Sequence, residues 1–148
     1  MRKKIEILYP YIIGLSALTI FLVYIYCFEN STPKTIGDAI SQSVSLGGIF
    51  AGFLYTAKSL LFALPDRPVV ERVRDMDKME ELVSYISTSV YHWLFVSIFS
   101  LSYIIVKSVL PDNVRFLIIC IWTAAIFTAI GSFLRSVNLV SYLLKMAS

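Results

Sequence analysis

With 148 residues, 57% of them hydrophobic and only 16% charged, and a mean hydropathy of +0.76, the chain is far too apolar for an ordinary soluble domain. Lipid is the solvent this composition fits, and about 20 apolar residues per helical crossing leaves little chain for a separate soluble domain. The net charge of +3 gives no ground for a nucleic-acid partner, because in a membrane chain Lys and Arg act first as orientation signals.

The apolar runs lack the alternation of barrel strands, so helices are the expected spanning elements. The first span is predicted over 7–28, behind Arg2, Lys3 and Lys4. It is longer than the apolar part of a secretion signal, and no small-residue cleavage pattern follows, so it reads as a retained span. Glu29-Asn30-Ser31-Thr32-Pro33-Lys34 makes a polar link. A second helix runs from about Ile36, polar over 38–45 and apolar afterwards, with the crossing at 42–64.

Pro65-Asp66-Arg67-Pro68 stops that helix, since proline donates no backbone hydrogen bond and restricts the residue before it. In the 65–81 loop that follows, Val69, Val70, Val73, Met76 and Met79 recur at helical spacing among charges of both signs. That pattern predicts a short helix lying on the cytoplasmic membrane surface. The third span is expected over 82–110, Pro111-Asp112-Asn113 turns the chain, and the fourth span covers 114–134 before continuing past Arg135 to Lys145. The expected fold is an all-α integral membrane protein, a single domain of four transmembrane helices with this interfacial helix between the second and third.

Arg2, Lys3, Lys4, Lys58, Arg67, Arg72, Arg74, Lys78, Arg135 and Lys145 fall on one side of this arrangement; Lys34, Lys107 and Arg115 fall on the other. The asymmetry places both termini and the 65–81 loop in the cytoplasm. Lys58 and Lys107 stand near helix ends, where long stems reach the headgroups.

On the second helix, Gln42, Ser45, Gly48, Gly52 and Thr56 form a seam of small and polar residues at three- and four-residue intervals. Gly48 and Gly52 make a GxxxG step, which lets a helix approach closely. Packing within one copy is the plainer reading, and contact between copies or a water-filled pathway the alternatives. The third helix carries Ser89, His92, Ser100, Tyr103 and Lys107 in a comparable row. An ionisable group within a span raises the prospect of an intramembrane switch, with Arg135 in the same leaflet. The plainer reading sets Tyr91, His92 and Trp93 in an interfacial aromatic belt. Cys27 and Cys120 read as small apolar fillers, with neither CxxC spacing nor a neighbouring His for a metal site, while their shared place toward the outer face leaves a disulfide open. No metal-ligand cluster, nucleophile motif or phosphate-binding glycine loop appears, so neither catalysis nor a cofactor is expected.

Arg67, Arg72, Arg74, Asp75 and Lys78 make the loop the one sizeable charged surface, suited either to solvation at the interface or to docking a soluble protein. The segment GFLYTAKSLLFALPDRPVVERVRDMDKMEELVSYI, 52–86, resembles the central helix–loop–helix of small four-span bacterial antiphage membrane proteins. The organisation is most similar to the KwaA membrane subunits of Kiwa systems, and more weakly to phage exclusion proteins of the RexB type. The first resemblance implies an oligomeric inner-membrane sensor that anchors a cytosolic effector; the second implies an ion-conducting effector that depolarises the cell. A structural subunit of a membrane complex is the third expectation.

Overall fold

The structure, a computed structural model, describes residues 2–27, 34–63 and 79–147. All four elements among them are α-helices: α1 (Arg2–Cys27), α2 (Lys34–Ala63), α3 (Met79–Val106) and α4 (Asp112–Ala147). The expected surface helix lies outside the described residues, except that Met79, Glu80 and Glu81 already belong to the first turn of α3. Glu80 and Glu81 there complement the positive end of the helix dipole.

Two helices are long and apolar enough to cross a membrane, Met79–Val106 and the Asp112–Tyr142 part of α4; Leu8–Tyr24 of α1 is a shorter apolar stretch. α3 ends four residues earlier than the expected 110, in a turn carried by Lys107 N–H to Tyr103 O at 2.8 Å and Val109 N–H to Val106 O at 3.0 Å. Pro111 then offers its carbonyl to the backbone N–H groups of Val114 and Arg115, both at 3.0 Å, and so starts α4. α4 runs unbroken past Arg135 to Ala147.

Close helix contacts join α1 to α4, α4 to α3 and α3 to α2. Glycine decides where two of these backbones meet. A Cβ on Gly14 would lie 2.7 Å from the Ala124 carbonyl and run into Thr128 Oγ1, and one on Gly131 would lie 3.0 Å from Pro10 Cα. Pro10, inside α1 and buried, removes a donor from the helical ladder but presents a flat, compact surface to α4 at that point. Between α2 and α3, a Cβ on Gly47 would lie 2.8 Å from the Trp93 carbonyl and against Ser97 Oγ. Where lipid is the solvent, such close van der Waals contact replaces the hydrophobic effect as the force between helices.

The interior has two apolar layers. One gathers Ala51, Leu54, Leu82, Ile86, Val90, Trp93, Val96 and Ala129, with Phe50 stacked on Trp93 at 4.6 Å and tilted against Phe133 at 4.9 Å. The other gathers Ile40, Ile119 and Trp122, with Phe21 and Phe99 at its rim.

Candidate functional site: a hydroxyl-lined interior and an open face of α2

Five serines are turned fully inward by the helices. Ser43, Ser89, Ser100 and Ser132 have no exposed surface and Ser136 has 1%, whereas Leu15, Ile20, Ile49, Phe53, Phe95, Ile98 and Leu117 stand largely exposed. A serine hydroxyl inside a helix can bond to the carbonyl one turn earlier and still serve a neighbouring helix, so it satisfies itself at little cost. Two clusters result.

The first joins α2, α3 and α4. Ser43 and Ser100 hydroxyls lie 2.7 Å apart, and the Trp122 indole N–H donates to Ser100 Oγ at 3.0 Å and to Ser43 Oγ at 3.3 Å. Ser43 also donates to Ile40 O at 2.7 Å. Nearby, Ser97 on α3 donates to the Val44 carbonyl on α2 at 2.7 Å.

The second lies between α3 and α4. Ser89 Oγ is 2.7 Å from Ser136 Oγ and 2.8 Å from Ser132 O, and Ser132 Oγ is 2.8 Å from His92 Nδ1. Tyr11 of α1 meets the His92 ring edge-on at 5.8 Å. The Arg135 guanidinium lies 4.1 Å over the Tyr85 ring, and the Tyr85 hydroxyl donates to Glu81 at 3.2 Å. His92 and Arg135, the two residues singled out for an intramembrane switch, thus both meet the opposite helix across the α3–α4 contact, His92 at Ser132 and Arg135 at Tyr85.

The aromatic-belt reading of residues 91–93 is corrected by this geometry. Only Tyr91 points outward; Trp93 is 3% exposed in the apolar core and His92 is half-buried against Ser132. Three consecutive residues span about 200° of a helix, so they cannot all face lipid. The Trp93 Nε1 donor is buried with no acceptor among the described residues. The Ser132–His92 pair has the contact of a nucleophile and base, but Ser132 is sealed from any substrate. Cys120 is a free, buried thiol. Among the described residues, no three His, Cys, Asp or Glu side chains gather to hold a metal.

The seam on α2 divides differently from the plainer expectation. Gln42, Ser45, Gly48, Gly52 and Thr56 are all exposed, and a Cβ on Gly48 or Gly52 would meet nothing within 4 Å. Packing within the copy uses the adjacent stripe instead, Ile40, Ser43, Gly47, Ala51 and Leu54. That stripe also repeats at three and four residues and was legible as a second small-residue row. Arg67, Arg72, Arg74, Asp75 and Lys78 lie outside the described residues.

No protein-family model, curated protein or solved structure matches the chain. The resemblance to Kiwa-type membrane subunits therefore rests on residues 52–86 and the helical organisation alone.

Proposed function

We propose that the chain is a four-span inner-membrane protein that assembles with copies of itself and serves as a non-catalytic sensor or anchor. The single observation that supports this most strongly is that large apolar side chains stand exposed on all four helices while five serines are buried between them. A water-soluble monomer rarely exposes apolar surface on this scale, because each Å² left in water costs about 25 cal/mol. In hydrocarbon the same surface is at rest and the buried hydroxyls must find each other. α1 and α2 join α3 and α4 as spans in this reading, with the Lys and Arg asymmetry holding both termini in the cytoplasm.

The open α2 face of Gln42, Ser45, Gly48, Gly52 and Thr56 supports contact between copies, since lipid chains fill a small-residue groove less well than a second helix does. The resemblance to KwaA extends the proposal to antiphage defence, with Arg67, Arg72, Arg74, Asp75 and Lys78 docking a cytosolic effector. A conducting pore is the weaker reading. Val96 and Ala129 are wholly buried and Trp93 nearly so at the centre of one copy, so an axial path needs several copies around it.

Affinity purification from membranes in mild detergent tests the proposal. A detergent-dependent oligomer with a stoichiometric soluble companion is the expected outcome. Recovery of the chain from the soluble fraction would refute the membrane reading, and a lone oligomer that conducts ions in planar bilayers would favour the pore.

A further inference from the structure

Lys58 does not reach freely toward the headgroups. It is half-buried on α2, and its ammonium donates to Ser87 Oγ of α3 at 2.9 Å, while Ser87 donates to its own helix at Val83 O, 2.7 Å. The serine proton is thereby committed, and its oxygen is turned to the lysine. Among the described residues one of the three ammonium N–H groups is used, by a neutral hydroxyl, and no carboxylate there balances the charge.

Its depth follows from the register. Eight residues separate Lys58 from Phe50, which stacks on Trp93 at the middle of α3. That is about 12 Å along the helix axis, against roughly 15 Å for half a hydrocarbon core. The ammonium thus sits just inside the boundary, within reach of lipid phosphates. Tyr55, three residues before Lys58, and Tyr91, four after Ser87, are exposed on the same helix faces one turn deeper. At that depth the tyrosine rings lie against the upper acyl chains.

We propose that Lys58 and Ser87 form a headgroup site for an anionic phospholipid of the inner leaflet, seated where α2 and α3 meet. The inference rests on the membrane-spanning reading above. The two remaining ammonium N–H groups bind phosphate oxygens, and Tyr55 and Tyr91 flank the glycerol and upper chains. Charge complementarity selects this occupant, and the exposed Tyr55 and Tyr91 set the Lys58–Ser87 pair toward the outside of the α2–α3 contact.

The test uses the full chain in neutral detergent, with phosphatidylglycerol or phosphatidylcholine added and bound lipid counted by native mass spectrometry. Phosphatidylglycerol should be preferred by the wild type. Lys58→Gln should reduce that binding about fivefold, Ser87→Ala should reduce it in part, and Lys107→Gln, altering an exposed lysine beyond the other end of α3, should leave it intact. If Lys58→Gln fails to fold, Ser87→Ala, which keeps the charge, carries the comparison. A preference retained in both variants, or absent in the wild type, overturns the site. So does inorganic phosphate raising the unfolding temperature as much as the lipid, which would mean a free anion. Loss of Lys58-dependent stability on neutralising Glu71, Asp75 and Asp77 would assign the ammonium to a carboxylate instead. A chain that stays with membranes yet shows no lipid preference sinks this site alone; a chain recovered without detergent sinks the membrane reading.

Discussion

His92 Nδ1 and Ser132 Oγ lie 2.8 Å apart, joining the one histidine of the chain to the hydroxyl row of α4. Hydrogen bonds between helices in membranes contribute about 0.6 kcal/mol on average and up to about 1.7 kcal/mol. A double-mutant cycle of His92→Ala and Ser132→Ala, read by denaturing-detergent unfolding, should give a coupling in that range. Additive effects would show that the contact contributes nothing to the fold.

Two neighbouring glycines should behave in opposite ways. Gly47→Ala places a methyl 2.8 Å from the Trp93 carbonyl and should lower stability by about 1–3 kcal/mol, whereas Gly48→Ala meets nothing and should leave unfolding unchanged. Gly48→Leu should also fold, yet should shift the oligomer distribution on native gels if copies meet on that face. Equal stability of Gly47→Ala and Gly48→Ala would contradict the α2–α3 contact.

The two tryptophans provide a matched pair. Trp122 donates to both Ser43 and Ser100, while the Trp93 indole N–H is buried without an acceptor among the described residues. Replacing each by Phe removes a similar volume, so Trp122→Phe should cost more than Trp93→Phe by about 0.6–1.7 kcal/mol in the same unfolding assay. The reverse order would argue that the Ser43–Ser100–Trp122 cluster adds no net stability.

Topology follows from the proposed four spans. A cysteine at Asn113, exposed beside the α3–α4 turn, should react with an impermeant maleimide added to intact cells. One at Asp75 should react only after permeabilisation. External labelling at Asp75 would overturn the orientation.

For the docking reading, Arg72→Glu with Arg74→Glu should reduce recovery of a soluble partner by tenfold or more if those contacts are desolvated, once the loop is shown to remain cytoplasmic. His92→Ala should leave recovery intact. Loss of partner in His92→Ala alone would move the output from the loop to the α3–α4 interior.

The helical character and the break between α3 and α4 at Pro111 were legible in the sequence, because hydropathy, helix period and proline chemistry act within a few residues. The serine row Ser89 and Ser100 was legible as an unusual face of α3 for the same reason. Which face of a helix meets another was not. α2 carries two small-residue stripes, Ser43-Gly47-Ala51 and Ser45-Gly48-Gly52, rotated from each other by about 100–200° and alike in local pattern. Only the arrival of α3, with Trp93 and Ser97 fitting against Gly47, selects the first for the interior and leaves the second open. His92 and Trp93 were ambiguous in the same way: adjacent in sequence, they enter different surroundings because Ser132 comes from a helix forty residues further on and Phe50 from another before them. Side-chain direction is set by the partner across the contact, and that partner is fixed only when the helices have packed.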